Sequence, residues 1–139
     1  MIYYKIIPSK KLVVEYFKGD IYWDDMFSFI DEISKDKNYN VSFNSLIDLR
    51  EATLQLTTDD VKKYIRYLEE HTEVLGKRKL AMITNSPNQV VYVTLYQLLS
   101  DKLPLKIKIF STYQKALYWL DMPEFTENEF NSLISEFLN

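Results

Sequence analysis

The sequence predicts an α/β fold with the element order β-β-α-β-α-β-α-β-α-α, in one domain that spans residues 1–139. Three observations predict it. Two β-branched and aromatic runs open the chain, and short apolar runs then alternate with apolar residues at helical spacing. The length of 139 residues fits one domain and is enough to bury a core without a metal or a disulfide. An N-terminal hairpin followed by strand–helix units implies that the later strands run parallel.

The opening hairpin consists of Ile2 to Ile7 and Leu12 to Phe17, joined by a polar four-residue connection. Gly19 and Asp20 are expected to end the second strand. Apolar side chains then recur at helical spacing and predict a first helix that ends near Asp36. Its predicted buried stripe is Trp23, Met26, Phe27, Ile30 and Ile33.

The third strand is predicted from Phe43 to Leu49 and reaches a polar cluster at Asp48, Arg50 and Glu51. A second helix begins near Thr57 or Thr58. With Thr57 as N-cap, Asp60 takes the third helical position, which is an aspartate version of the capping box. Gly76 is expected to serve as the C-terminal stop of this helix.

The rest of the chain continues the alternation of strands and helices. Lys79 to Thr84 predicts a buried strand, and Asn85-Ser86-Pro87 predicts a helix start with proline in the first turn. Leu105 to Phe110 alternates apolar residues with lysine, which is typical of a half-exposed strand at a sheet edge. Two further helices complete the chain, with N-caps at Ser111-Thr112 and at Thr126.

The composition excludes several kinds of chemistry. The absence of cysteine excludes a disulfide framework, a cysteine zinc site, an iron–sulfur cluster and a thiol nucleophile. A single histidine, His71, excludes a multi-histidine metal site, and two glycines cannot form a glycine-rich phosphate loop. We therefore predict no catalytic residues, no metal and no cofactor, and a protein that is not an enzyme. The alternative is an enzyme that uses carboxylates at the strand ends.

Charge and hydropathy limit the partners. A net charge of -3 and an isoelectric point near 5.2 argue against nucleic acid as a partner. No apolar run approaches the 18 residues of a membrane span, and lysines interrupt the N-terminal runs, unlike in a signal peptide. We expect a soluble cytoplasmic protein, and the heavy use of Lys, Ile, Asn and Tyr fits a bacterial genome.

The element order resembles the SpoIIAA-like group, which shares its fold with STAS domains, over nearly the whole chain. The segments that carry the resemblance are LVVEYF, SLIDLR, TTDDVKKYIRYL, GKRKLAMIT and SPNQVVYVTLYQLL. The resemblance implies a domain that binds protein partners. In STAS domains that act as anti-sigma antagonists, it also implies Asp-Leu-Ser near the end of the third strand and a phosphorylated serine at the start of the next helix.

Carried over by spacing, the pair Asp48-Leu49 matches the first motif, and Thr57 or Thr58 falls near the phosphoacceptor. Leu56 stands where that group has aspartate. A phosphate at Thr57 would carry a charge of about -2 against two following acids, Asp59 and Asp60, while a helix N-terminus offers only about +0.5. Repulsion therefore disfavours a phosphorylation switch here and favours a plain helix cap.

A candidate ligand site lies at the carboxyl ends of the strands, where open α/β sheets bind ligands. The start of the third helix offers free N–H groups and no nearby acid, and Arg50 could add a positive charge. The alternative is that Asn85 or Ser86 only caps the helix and that Arg50 pairs with a neighbouring acid. The candidate site residues are Asp48, Arg50, Thr84, Asn85 and Ser86.

Two other features leave alternatives open. The run Lys77-Arg78-Lys79 precedes its strand, far from Ser86, and is expected to be a solvated loop. The eleven tyrosines fit ordinary packing, a homodimer interface, or an apolar pocket for a lipid or small apolar ligand.

We predict a binding module that contacts a protein partner or a second copy. The alternative is a small-molecule or lipid carrier, for which a cavity of about 300 Å³ or more is expected.

Overall fold

The computed structural model describes residues 1–71, 73 and 75–139. Its five strands belong to one sheet in the spatial order β1-β2-β3-β4-β5. The strands are β1 (Ile2–Ile7), β2 (Leu12–Ile21), β3 (Asn44–Leu54), β4 (Arg78–Ile83) and β5 (Leu105–Phe110). β1 is antiparallel to β2, and the other neighbouring pairs are parallel. The predicted fold class and element order are confirmed.

Within the described residues, five α-helices connect and follow the strands. They are α1 (Trp23–Ser34), α2 (Thr58–Glu70), α3 (Pro87–Leu99), α4 (Tyr113–Trp119) and α5 (Glu127–Leu138), and a short 3-10 helix, Pro8–Lys10, joins β1 to β2. Four helices begin at a hydroxyl side chain that accepts a hydrogen bond from the N–H three residues later. These N-caps are Thr57, Ser86, Thr112 and Thr126. In the described ranges, no helix is long and apolar enough to cross a membrane.

The helices cover both faces of the sheet. Along β2, Leu12 and Val14 pack in one cluster with residues of α4 and α5. Val13 packs with α1 and α2, and Phe17 packs in a cluster that includes Val93 of α3. Because successive side chains of a strand point to opposite faces, α4 and α5 lie on one face of the sheet and α1, α2 and α3 lie on the other.

Strand β2 runs further than the sequence predicts. It passes Gly19, which adopts a φ of 78°, and continues to Ile21. Its last residues pair with an equally extended β3, where Ile21 lies opposite Leu54, and both side chains are buried. The register shifts by one residue before this extension, because β3 advances from Asp48 to Glu51 while β2 advances from Tyr16 to Lys18. Pairing with β3 therefore overrides the local tendency of glycine to end the strand.

Two helix predictions also differ in detail. In α1 the structure buries Phe29 and leaves Phe27 43% exposed, so the buried stripe is rotated toward Phe29. Helix α2 ends at Glu70 with His71 as C-cap, well before Gly76. The His71 ring stacks on Tyr67 with 3.9 Å between ring centroids, and this histidine is half-buried.

Gly76 is required by close packing and not by helix termination. A Cβ atom at this position would lie 2.3 Å from the carbonyl oxygen of Val41, which is backbone and cannot rotate away. We expect Gly76→Ala to lower the free energy of unfolding by about 3 kcal/mol, because the backbone has to shift. Urea denaturation measures this loss.

Gly19→Ala is the matched control. A Cβ atom there meets nothing within 4 Å, so only the positive φ is strained, at a cost of about 1 kcal/mol. An equal or larger loss for Gly19→Ala than for Gly76→Ala would contradict the packing explanation.

Candidate functional site

Two polar residues in the middle of β3 form an internal ion pair. Arg50 Nε donates to Asp48 Oδ1 at 3.0 Å, and a second guanidinium nitrogen donates to Asp48 Oδ2 at 3.0 Å. The Arg50 backbone N–H also donates to Asp48 Oδ1. Asp48 is only 3% exposed, and its hydrogen bonds raise the pKa of the Arg50 guanidinium. The guanidinium that was predicted to meet an anion therefore already binds a carboxylate of its own strand.

The start of α3 is also bonded within the chain. The Asn85 N–H donates to Gln89 Oε1 at 2.8 Å, and Gln89 Nε2 donates to the carbonyl oxygen of Ala52 at 2.9 Å. Ser86 is the N-cap, and the Thr84 N–H donates to the carbonyl oxygen of Phe110. The buried Gln89 carboxamide thus joins this turn to β3.

The structure does not bring the Asp48–Arg50 pair and the start of α3 together on one face of the sheet. Ile47 and Leu49 pack in the same cluster as Val93 of α3. Asp48 lies between them in the strand and so points to the opposite face of the sheet, the one covered by α4 and α5. Ligand binding by Asp48, Arg50, Thr84, Asn85 and Ser86 remains a prediction.

The two threonines before α2 belong to its N-terminal cap. Thr57 Oγ1 accepts from the Asp60 N–H at 3.0 Å, and Asp60 Oδ2 accepts from the Thr57 N–H at 2.8 Å, which completes the predicted capping box. Thr57 and Thr58 are both exposed. A phosphate on Thr57 would lie next to the Asp60 carboxylate in the cap. Repulsion between these two negative groups is the physical reason to expect that phosphorylation is disfavoured.

A cavity of about 90 Å³ lies between the sheet and helices α1, α2 and α3. Apolar side chains from all of these elements form most of its wall, among them Phe17, Met26, Ile30, Ile47, Val61 and Met82. The volume is well below the ~300 Å³ at the lower end of ordinary ligand pockets. A molecule of lipid size does not fit this volume.

One end of the cavity is polar. Glu15 is 6% exposed, and burial raises its pKa from the ordinary 4.5 to about 7, although the Arg78 charge and the Ser45 hydroxyl oppose the rise. The Arg78 guanidinium carbon lies 5.8 Å from the centre of the Tyr39 ring. Arg78 Nε is buried and has no hydrogen-bond partner among the residues described. A buried donor without an acceptor is uncommon, because leaving it unmet costs free energy.

Two tyrosines complete the polar end. The rings of Tyr64 from α2 and Tyr96 from α3 meet edge to face, with 5.6 Å between their centroids. Burial raises the pKa of both hydroxyl groups, so both are neutral at physiological pH. The polar end therefore combines one carboxyl group, one guanidinium and neutral hydroxyl groups, inside an apolar wall.

The sequence prediction for Arg78 was wrong. We expected Lys77-Arg78-Lys79 to be a solvated loop, and only Lys77 is exposed there. Arg78 is the first residue of β4 and pairs with Leu105 of β5. It shares a face with Leu80 because strand side chains repeat every two residues, and that face borders the cavity. The signal that sequence reasoning missed was Glu15, the one acid in the apolar run LVVEYF.

The outer face of α3 (Val90, Val91, Thr94 and Leu98) is the second notable surface. Val90, Val91 and Leu98 are 40%, 59% and 71% exposed. Tyr92, Val93 and Tyr96 on the other side of the helix pack toward the sheet. Because no residue from Asn85 to Ser100 is charged, α3 is apolar on both sides. Sequence reasoning used this lack of charge only to argue for an anion site.

Two solved structures share this architecture. An uncharacterised protein of the DUF3478 family from Shewanella loihica PV-4, with a SpoIIAA-like fold, matches with a TM-score of 0.56 and 18% identity, over 86% of this chain and 93% of that chain. The anti-sigma factor antagonist SpoIIAA in its unphosphorylated form matches with a TM-score of 0.52 and 12% identity, over 87% of this chain and 98% of that chain.

The chain has the SpoIIAA-like fold. The resemblance stated from the sequence is thereby confirmed at the level of the fold. Comparison with known families and with curated proteins finds no match to this chain. At such low identities the SpoIIAA-like fold locates the elements but assigns no role to their side chains.

The Asp48–Arg50 pair yields a stability prediction. Replacing Arg50 by Met leaves the buried Asp48 carboxylate without its guanidinium, and we expect the free energy of unfolding to fall by about 3 kcal/mol. The double variant Asp48→Leu/Arg50→Met removes both charges and should lose clearly less. Urea denaturation of the two variants gives the comparison.

The exposed pair Lys35–Asp31 provides the control, since its side chains are 72% and 52% exposed. Lys35→Met should change stability by no more than about 0.5 kcal/mol. If the double variant lost more stability than Arg50→Met alone, the explanation by an uncompensated buried charge would be wrong.

Glu15 yields a prediction about pH. The folded state binds the Glu15 proton more tightly than the unfolded chain does, because its pKa rises from 4.5 to about 7. This contribution to stability is complete below about pH 4.5 and is lost as the pH rises toward 7, at no more than about 1.4 kcal/mol per pH unit. Glu15→Gln should therefore gain stability relative to the unmodified chain across this window, and the difference should level off above it.

Thermal and urea unfolding over a pH series measure that difference. Glu69→Gln, at an exposed position on α2, serves as the control for replacing a glutamate by an amide. A Glu15→Gln difference that stays constant between about pH 4.5 and pH 7 would contradict the raised pKa.

Proposed function

We propose that this chain is a non-enzymatic binding module that acts through protein–protein contact and docks its partner on the outer face of α3. The observation that carries the proposal is the exposure of Val90, Val91 and Leu98 on one side of an uncharged helix. Contiguous exposed apolar surface is uncommon on monomeric proteins and often marks an interaction site.

The pattern of α3 differs from that of an ordinary surface helix. A helix that covers a sheet usually has an apolar stripe toward the core and charged residues toward water. Helix α2 follows that rule, with Val61, Ile65 and Leu68 buried and its lysines exposed. Helix α3 buries Val93 but has no charged residue on its outer side. Covering this side by another protein would remove apolar surface from water.

The charged residues beside the outer face of α3 indicate the chemistry of the partner. A groove beside α3 is lined by Lys62 and Arg66 of α2 together with Leu99, and Asp59 is the acid among its lining residues. A partner that fits would present an apolar patch with acidic residues along one side. A two-fold dimer would place the same basic margin on both copies, so we favour a different protein over a second copy.

The SpoIIAA-like fold supports a role in binding. The name of one structural relative, an anti-sigma factor antagonist, describes action on another protein. The alternative of a lipid carrier has less support, because the cavity of about 90 Å³ is too small for a lipid. The proposal does not place the partner at the predicted ligand site, because hydrogen bonds within the chain already occupy polar groups there. That site consists of Asp48, Arg50, Thr84, Asn85 and Ser86.

Site-specific photo-crosslinking in cells of the native host tests the proposal. A photo-reactive phenylalanine analogue at Val91 should give one dominant adduct with another protein, and adding Leu98→Glu should reduce that adduct at least about tenfold. The matched control carries the analogue at Tyr118 of α4, which is 78% exposed on the opposite side of the sheet, and should not give this adduct.

Three outcomes would contradict the proposal. They are the absence of an adduct at Val91, an equal adduct from Tyr118, and an adduct that Leu98→Glu leaves unchanged. An adduct with the mass of a dimer, together with a dimer in light scattering, would show that the partner is a second copy of this chain and not a different protein. Circular dichroism of the Leu98→Glu variant checks that it is folded.

A further inference from the structure

We propose that the cavity between the sheet and helices α1–α3 binds a small aliphatic carboxylate of about two to four carbon atoms, whose carboxylate group meets Arg78. Its alkyl part would lie against the apolar wall formed by residues such as Val61 and Met82. This site is on the inner side of α3. It therefore does not depend on the proposed docking surface.

The size of the cavity sets the size of the ligand. A volume of about 90 Å³ is several times the roughly 10–15 Å³ that a cavity needs to hold one water molecule. A carboxylate group with a short alkyl chain fills such a volume, whereas a fatty acid chain does not. The mostly apolar wall favours the alkyl chain over a cluster of water, because a water molecule needs two or more polar partners.

The donors at the polar end set the charge of the ligand. The Arg78 guanidinium donates one hydrogen bond to the Tyr39 hydroxyl group, but its Nε is buried without a partner among the described residues, and a guanidinium can only donate hydrogen bonds. The hydroxyl groups of Tyr64 and Tyr96 lie near Arg78 and Glu15. Tyr64 donates to Tyr96, so the Tyr96 hydroxyl group is the one that offers a further donor. A carboxylate has acceptors only and matches the planar guanidinium geometry.

The two acids that border the cavity, Asp60 and Glu15, do not prevent an anion from binding at Arg78. Asp60 is held in the cap of α2 by the Thr57 N–H. Glu15 is buried and competes for Arg78, so a bound carboxylate requires Glu15 to be protonated. Above about pH 7, binding of the anion is therefore coupled to uptake of one proton. The groups that face Glu15 from the surrounding elements are Arg78 of β4, Ser45 of β3, Tyr39 before β3, Tyr64 of α2 and Tyr96 of α3.

Titration of the full chain with sodium butyrate, followed by amide NMR shifts, tests the site. At about pH 6 we expect saturable shifts confined to residues around the cavity, with a dissociation constant of about 1 mM or below. Butyramide has the same size without the charge and should bind at least about tenfold more weakly. Equal binding of butyramide, or no saturable shift at about 10 mM butyrate, would overturn the proposal.

Variants test the roles of the residues. Arg78→Gln should weaken butyrate binding at least about tenfold, and Val61→Phe should abolish it by filling the cavity while keeping Arg78. Lys79→Gln is the matched control, because Lys79 is the next cation in β4 and contacts Trp119 on the other face of the sheet. If Lys79→Gln weakened binding as much as Arg78→Gln, the assignment would be wrong. Should Arg78→Gln fail to fold, Val61→Phe decides the question.

The proton coupling has its own measurement. Above about pH 7 the affinity for butyrate should fall by about tenfold per pH unit, because Glu15 has to be protonated again. In Glu15→Gln the affinity should be independent of pH between about pH 6 and pH 8. A pH dependence that persists in Glu15→Gln would overturn the coupling through this residue.

Discussion

Strand β2 is buried on both faces, and the rest of the structure is arranged around that constraint. Six consecutive residues, 12–17, are buried. Leu12 and Val14 are covered by α4 and α5, while Val13 and Phe17 are covered from the side of α1 to α3. Parallel strands in an α/β sheet need helices on both faces, since their continuous apolar runs leave no side for water. The need to cover both faces of β2 therefore fixes the positions of the helices, independently of any functional side chain.

The same constraint explains the polar end of the cavity. Glu15 lies in the middle of the buried strand, on the face of α1 to α3, and water does not solvate its charge. Burial raises its pKa to about 7, and the charge of Arg78 from β4 acts against that rise. A buried carboxyl group beside a partly buried guanidinium costs free energy compared with apolar residues of the same volume. Their retention at one end of a cavity is what distinguishes this region from an ordinary core.

The residues expected to be functional and those that the structure brings together differ for a physical reason. Asp48, Arg50, Ser86 and Asn85 were chosen because strand ends and helix starts expose polar groups, but the chain itself supplies their hydrogen-bond partners. Gln89 is an example, since its buried side chain bonds the Asn85 N–H and the carbonyl oxygen of Ala52. Such a partner, 37 residues away in the case of Ala52, has no local signature in the sequence.

The sequence by itself determined the order of strands and helices and the N-caps of α2 to α5. Those depend on residues within a few positions of one another, such as Thr57 with Asp60. Only the tertiary structure decided how far β2 extends, that Phe29 and not Phe27 is buried, and that Arg78 faces a cavity with Glu15. Each of these outcomes depends on contacts between segments far apart in the chain, and their free energy exceeds the local preferences of Gly19 or of a run of basic residues.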